Sequence, residues 1–205
     1  MKHFLIVILL CPVFVFAQEN RRTEFESEFE PRPEFYIYMI NHNNFGDNYL
    51  SEANDPNFLG VGLQINAFKA YNFKIGIGGE YMEYTVTNKT LGGNINKSFY
   101  YAAYLKLQYE IDFKDSWAVE PLIGIGRTRI HQKSGSKDFD DFYGTAFYIG
   151  SNLLYKFTDH VAVYLGAYYN YTQFDVKTAA AYKDFFQKAN QIQVQLGLIF
   201  SIGNN

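Results

Sequence analysis

Three residues of this chain have the types that a hydrolytic active site requires. His131, Ser134 and Asp138 supply a base, a hydroxyl nucleophile and an acid close together in the sequence. In a catalytic triad the base activates the hydroxyl and the acid orients the base, which depends on geometry rather than on sequence spacing. No motif of a known hydrolase surrounds these residues. We therefore expect a protein that is not an enzyme, with hydrolysis at this site as an alternative.

Metal and cofactor chemistry have little support. The histidines stand far apart, at positions 3, 42, 131 and 160, without the spacing of metal ligands. Two acidic clusters could hold calcium, but neither has the spacing of an EF-hand loop. They are Asp47, Glu52 and Asp55, and Asp138, Asp140 and Asp141. The sequence predicts no metal and no cofactor.

The chain begins with a predicted export signal. Residues 1–17 combine a short polar start, a continuous apolar run and a small-residue cleavage site at Ala17, so we expect a signal peptide cleaved there. This segment contains Cys11, the only cysteine, so the mature chain has no thiol chemistry. Residues 18–33 are charged and contain two prolines, which predicts a flexible polar leader. The net charge of −3 argues against nucleic acid as a partner.

From Phe35 onward, apolar and polar residues alternate, which is the period of a strand with two different faces. After Ala17 no apolar run approaches the ~20 residues of a membrane helix. The alternation predicts eight strands, over residues 34–41, 58–69, 73–87, 98–113, 117–131, 143–157, 161–175 and 189–202.

The connections between these strands alternate in length. Tight turns are centred on Tyr71, Asp115 and Asp159, which are 44 residues apart both times (115 − 71 and 159 − 115). Longer connections are predicted over residues 42–57, 88–97, 132–142 and 176–188. This layout predicts an all-β, antiparallel, up-and-down meander with both termini on the side of the short turns.

Glycine indicates which face of the strands lies inside. The polar face carries Gly60, Gly62, Gly76, Gly78, Gly124, Gly126, Gly150, Gly166 and Gly197. Small residues belong on the concave side of a narrow barrel, so the apolar face must point outward. Such a face would aggregate in water and is required in lipid. Residues 34–205 are therefore predicted to form an eight-stranded transmembrane β-barrel, with a soluble ligand-binding barrel as the alternative.

Aromatic residues make up 19% of the sequence, and many stand near strand ends on the outward parity. Rings at these positions are typical of the two water–lipid boundaries of a membrane barrel. We expect one girdle beside the short turns, formed by Phe73, Phe113, Trp117 and Phe157. We expect the other nearer the long connections, formed by Tyr81, Tyr101, Tyr169 and Tyr171.

Six charged residues share the inward parity. They are Lys74, Glu80, Lys106, Glu110, Glu120 and Lys156. Eight strands leave a lumen just wide enough for side chains to fill, and an isolated charge there is costly. We expect a network of salt bridges that rigidifies the barrel, with an ion path as the alternative.

The fourth long connection contains an aromatic segment. The sequence predicts a short helix over Ala179–Ala181 and the residues that follow, up to Lys188. Its helical spacing would place Tyr182, Phe185, Phe186 and Ala189 on one side. Such a stripe suggests contact with a partner, with the membrane surface or with the rim of the barrel itself.

The chain resembles the small outer-membrane β-barrel family of the OmpA and OmpX type. The resemblance rests on the Ala17-Gln18 cleavage site, the alternating strands, the turn spacing and the closing segment Gln193–Phe200. The resemblance covers residues 35–202. Members often end on a terminal aromatic residue, whereas here Ser201–Asn205 follow Phe200.

The resemblance implies a Gram-negative outer-membrane location, periplasmic termini and extracellular long loops. It also implies a structural or interaction role, with outer-membrane lipid and another membrane or extracellular protein as partners. A narrow porin-like channel and an enzyme that modifies outer-leaflet lipid are the alternatives.

Overall fold

The computed structural model describes residues 29–30 and 33–202. The predicted signal peptide and most of the predicted leader lie outside the described residues. Within the leader, Phe29–Glu30 form a short strand that pairs with Ala70 and Lys69.

Eight long antiparallel strands form the body of the protein. They are β1 (Glu34–Phe45), β2 (Gly60–Ala70), β3 (Phe73–Val86), β4 (Lys97–Tyr109, continued after Glu110 by Ile111–Lys114), β5 (Trp117–Ser134), β6 (Lys137–Lys156), β7 (Val161–Phe174) and β8 (Lys188–Ser201). Each strand pairs with the next, and β8 pairs with β1 from Glu34↔Ser201 to Phe45↔Asn190. The sheet is therefore closed, which confirms the predicted eight-stranded meander.

The register of the strands sets their tilt. A row of paired residues starts at Phe35 and passes through Ile65, Ile77, Leu105, Ile125, Phe147, Tyr171 and Asn190. The row returns to β1 at Phe45, which is ten residues beyond its start (45 − 35). A stagger in a closed sheet requires tilted strands, typically by roughly 35–45° to the barrel axis.

The two faces of the sheet are those that the sequence predicts. Inward residues such as Lys106 and Gln108 are buried, whereas outward residues such as Leu105 and Leu107 are exposed. The polar face is inside and the apolar face is outside. An apolar outer wall of this extent requires lipid.

Glycines on the inner face make room for tyrosine rings. A Cβ atom at Gly62 would overlap the ring of Tyr38, and one at Gly78 would collide with the ring of Tyr104. Small residues thus stand opposite large ones, which lets side chains fill a narrow lumen.

The predicted third long connection, 132–142, is wrong. β5 and β6 extend into this range from both sides and pair as far as Ser134↔Lys137. Gly135 turns the chain there with a φ of +60°, a conformation that glycine adopts without strain. The sequence hid these strand ends because residues 132–138 are polar on both faces or glycine and so lack the apolar alternation.

The other long connections contain short helices. The first forms α1 (Tyr49–Ala53), and the second forms α2 (Lys89–Gly92). The fourth forms a 3₁₀ turn at Ala180–Tyr182 and then α3 (Lys183–Gln187). Among the described residues, no helix has the length and apolar character needed to cross a membrane.

Candidate functional site: the lumen and its mouth

A buried ion cluster fills the lumen near the short turns. The ammonium of Lys74 lies 2.7 Å from Glu120 Oε1 and 2.5 Å from Glu110 Oε2. A third carboxylate, that of Glu34, approaches Lys74 to 2.8 Å. Because an uncompensated buried charge is strongly unfavourable, these contacts tie β1, β3 and β5 together across the lumen.

Two more lysines extend this cluster toward the rim. Lys156 Nζ lies 2.6 Å from Glu110 Oε1 and 2.5 Å from Asp112 Oδ1. Lys69 Nζ lies 3.2 Å from Glu110 Oε2. With Lys74, Glu34 and Glu120, three lysines face four carboxylates, a formal charge of −1 (3 − 4). The cluster is closed toward the middle of the barrel and opens to solvent at Lys156, which is half-buried.

Sequence reasoning missed three members of this cluster. Lys69 has the outward parity of β2, but a bulge between Asn66 and Phe68 turns it inward. Asp112 lies beyond a break in β4 at Glu110, but its register with β5 is unchanged there, so it keeps the inward parity of Gln108. Glu34 is the first residue of β1 and has the inward parity, so the alternation itself could have identified it.

Lys106 and Glu80 lie in the middle of the lumen. Their nearest partners are aromatic rings and neutral hydrogen-bond donors rather than the salt bridges that the sequence predicts. Lys106 Nζ lies 3.8 Å from the centre of the Tyr104 ring and 4.8 Å from that of Tyr168. Glu80 accepts hydrogen bonds from Tyr148 Oη at 3.3 Å and from Gln193 Nε2 at 3.4 Å. The charge of Lys106 is thus stabilised by the negative faces of aromatic rings.

Hydrogen-bonded rings cross the lumen above and below these charges. The hydroxyl oxygens of Tyr38 and Tyr104 lie 2.5 Å apart, although their strands are three positions apart around the barrel. Nearer the long connections, His42 Nδ1 lies 2.5 Å from Tyr84 Oη. Gln191 Nε2 donates to the same hydroxyl at 3.1 Å. These contacts leave the lumen filled by side chains over much of its length.

The first long connection covers the mouth of the barrel. Leu50 of α1 is buried in one cluster with Tyr84 and Tyr100, which point into the lumen. Beside it, Gln132 Nε2 donates a hydrogen bond to Tyr49 Oη at 2.6 Å. α1 therefore forms a lid over the end of the lumen.

The aromatic segment of the fourth connection is divided between two environments. The ring of Phe186 lies 5.5 Å from that of Tyr49, and Phe185 packs edge-on against Phe186 at 5.0 Å. Tyr182 is 60% exposed. The predicted placement of Ala189 on the same helix face is wrong, because α3 ends at Gln187 and Ala189 is buried in β8.

The residues predicted to form two girdles all face outward. Trp117 lies 4.9 Å from the ring of Tyr155, and Tyr81 lies 5.3 Å from that of Tyr101. The remaining predicted residues, Phe73, Phe113, Phe157, Tyr169 and Tyr171, also point away from the lumen. Tyr155 was not predicted, although its outward parity beside a short turn is the same signal.

The residues of the suggested catalytic triad do not assemble. His131 Nδ1 lies 2.8 Å from Asp141 Oδ1, and His131 Nε2 lies 3.3 Å from Asp138 Oδ1. Both ring nitrogens face carboxylates, so neither is available to activate Ser134. Lys133 also contacts Asp138, and its ammonium lowers the pKa of that carboxyl. This is a solvated ion-pair arrangement on the β5–β6 hairpin.

The acidic clusters suggested for calcium give no metal site among the residues that the structure describes. In the described part of the chain, no group of three or more histidine, cysteine, aspartate or glutamate residues could hold a metal ion.

The fold and the lumen define the class of protein: a small membrane β-barrel with a lipid-facing wall and a filled interior. The chain belongs to the outer membrane protein beta-barrel domain family, whose model matches residues 7–200. It is therefore a protein of the outer membrane. No curated protein matches its sequence.

Solved structures show the same fold at low sequence identity. Neisserial surface protein A is 11% identical with a TM-score of 0.57, covering 84% of this chain and 97% of that protein. Ail, the attachment invasion locus protein of Yersinia pestis, is 14% identical with a TM-score of 0.53, covering 84% and 99%. OprG from Pseudomonas aeruginosa is 10% identical with a TM-score of 0.54, covering 88% and 100%. By name, the first of these is a surface protein and the third is an outer membrane protein.

Proposed function

We propose that this chain is a non-conducting, non-enzymatic outer-membrane barrel that acts as an interaction protein through its long connections. The signal peptide over 1–17 is removed, the leader over 18–33 and the short turns face the periplasm, and the long connections face outward. The filled lumen carries this proposal. It favours an interaction role over a narrow channel because the Lys74 cluster, the Tyr38–Tyr104 contact and α1 each place side chains across the route that ions would take.

The long connections present exposed aromatic side chains, unlike the filled lumen. Phe185 packs on Phe186, which packs on Tyr49 of the lid, whereas Tyr182 presents its ring to solvent. Phe58 in the first connection is 82% exposed. Aromatic residues are enriched where proteins recognise one another. Tyr182 and Phe58 are therefore the residues that we expect to contact a partner.

A single labelling experiment tests the orientation on which this role depends. The mature chain has no cysteine, so Tyr182→Cys and Tyr71→Cys each place one thiol at opposite ends of the barrel. Both side chains are about equally exposed, at 60% and 62%. In intact cells, a membrane-impermeant maleimide should label Tyr182→Cys alone. Labelling of Tyr71→Cys alone would reverse the orientation and remove the proposal.

Crosslinking then tests the interaction itself. A photoreactive residue at position 182 should give a discrete adduct in intact cells, and the same residue at position 71 should not. Identical adducts from both positions would contradict a specific role for the outer surface.

Conductance tests the alternative of a channel. In planar bilayers we expect no discrete current steps from the wild-type protein. A double variant, Tyr38→Ala with Tyr104→Ala, removes the contact across the lumen and should increase ion leakage. Discrete steps from the wild-type protein would favour the channel instead.

A further inference from the structure

An arginine stands on the lipid-facing side of the barrel. Arg127 has the outward parity of β5 and is the next outward-facing residue after the exposed Ile125. Its side chain is 63% exposed. The free-energy cost of a charge that faces lipid is high at mid-bilayer and falls to almost nothing at the interface. One step further along β5, Arg129 pairs with Tyr101 of β4, a residue of the predicted girdle. Arg127 therefore lies where the apolar wall meets the polar boundary.

The charge of Arg127 is only loosely compensated within the chain. Its Nη1 donates to Thr145 Oγ1 at 2.9 Å, which is a neutral acceptor. The nearest carboxylate is Asp175 Oδ2, at 3.6 Å from Nη2, and it is 69% exposed. Arg129, by contrast, lies 2.8 Å from Asp141. Arg127 thus retains donors and charge for an anion from outside the chain.

An apolar groove extends from this arginine down the outer wall. It has a volume of about 500 Å³. It exists because Ala103, which pairs directly with Arg127, is much smaller than its neighbours Leu105 and Ile125. Ile77 forms the far side of the groove. A guanidinium therefore stands at one end of a slot whose walls are hydrocarbon.

We propose that Arg127 and the groove at Ala103 bind an anionic membrane lipid with a phosphate headgroup. A guanidinium matches phosphate because its planar array of N–H groups can donate two hydrogen bonds to two oxygens. An acyl chain of the same lipid lies in the groove against Leu105 and Ile125. The position next to the girdle tyrosine places the phosphate at the water–lipid boundary, at the end that carries the long connections.

This inference goes beyond the proposed interaction role and does not depend on it. It needs the membrane location that the family establishes, and only the choice of leaflet follows from the proposed orientation. A failure of the crosslinking at position 182 would leave the lipid site unaffected.

Native mass spectrometry of the full mature chain tests the proposal. The protein is reconstituted with an equal mixture of phosphatidic acid and phosphatidylcholine that have the same acyl chains, and then released from detergent. We expect one phosphatidic acid to be retained per chain in preference to phosphatidylcholine. Equal retention of the two lipids would overturn the proposal.

Two variants remove the two halves of the site. Arg127→Gln removes the charge, and Ala103→Phe fills the groove while keeping the outer wall apolar. Arg127→Gln should lower the retained phosphatidic acid by about tenfold, which corresponds to the loss of one charge-assisted contact. Ala103→Phe should also lower it, because the acyl chain loses its place in the groove. Unchanged retention in either variant would refute the site, provided that the shift of the gel band on heating shows a folded barrel.

Lys97→Gln is the matched control. Lys97 lies at the same end of the barrel, is paired with Glu83 at 2.6 Å, and its loss changes the net charge by the same amount. Retention should equal that of the wild-type protein. An equal loss in Lys97→Gln would mean general attraction of an anionic lipid to a charged rim, which would overturn the specific site.

Discussion

Replacement of Lys74 by methionine should destabilise the barrel strongly. The substitution keeps the length of the side chain and removes the only cation within salt-bridge distance of Glu120 and of Glu34 among the described residues. Glu110 keeps contacts with Lys156 and Lys69 and is affected less. Because breaking one partner of a buried pair leaves a stranded charge, we expect a loss of about 3–5 kcal/mol in the free energy of unfolding.

The stranded carboxylates retain only neutral donors. Glu120 still accepts from Asn152 Nδ2 at 3.1 Å and from Gln108 Nε2 at 3.3 Å. Glu34 still accepts from Tyr36 Oη at 3.0 Å. These hydrogen bonds keep the carboxylate oxygens partnered but leave the negative charge uncompensated. Adding Glu120→Gln to Lys74→Met should therefore recover part of the lost stability.

Trp117 provides the signal for this measurement. It is the only tryptophan and lies on the outer wall, so its fluorescence reports transfer of the chain from lipid to water. Denaturant unfolding of the protein in lipid vesicles should show a lower midpoint for Lys74→Met. The control Lys97→Met breaks an exposed pair and should change the midpoint far less. Equal midpoints for Lys74→Met and the wild-type protein, or no recovery in the double variant, would refute this reasoning.

Three further outcomes are expected. Leu105→Arg places a charge on the lipid face and should cost about 2–4 kcal/mol in the same unfolding assay, whereas Leu105→Phe should be close to neutral. Gly62→Ala forces a Cβ into the ring of Tyr38 and should cost about 1–3 kcal/mol; Tyr38→Ala in the same chain should relieve part of that cost, and additive losses would contradict the packing. The ammonium of Lys188 lowers the pKa of Asp184, so this contact is present above the lowered pKa and is lost as the pH falls through it. An NMR titration should show that pKa returning upward in Lys188→Met, and an unchanged titration would exclude the contact in solution.

Most of the fold could be predicted from the alternation of apolar and polar residues. This alternation placed all eight strands and the inward or outward direction of Leu105 and Gln108, because a closed barrel in lipid imposes one chemistry on each face. The short turns followed from the same pattern. The outer ends of the β5–β6 hairpin did not, because residues 132–138 carry no apolar side chain on either face.

The individual side-chain contacts in the lumen could not be predicted from the sequence. The bulge at Ala67 reverses the direction of Lys69, and a single extra residue leaves no trace in composition. The neighbours of Lys106 are tyrosines from three strands, and their meeting depends on the stagger of the whole barrel. The lid formed by α1 likewise depends on how the first connection folds back over the mouth.

The seam between β1 and β8 has a consequence for how the protein reaches its native state. It joins Glu34 to Ser201, so the last pairing to become available spans almost the whole chain. Contacts between such distant residues form slowly, because the chain between them must first be ordered. Until β8 arrives, both free edges would expose unpaired backbone groups, which hydrocarbon does not tolerate. Insertion and closure must therefore be coupled late events, and a chain that ended before β8 would be an aggregating sheet rather than a smaller barrel.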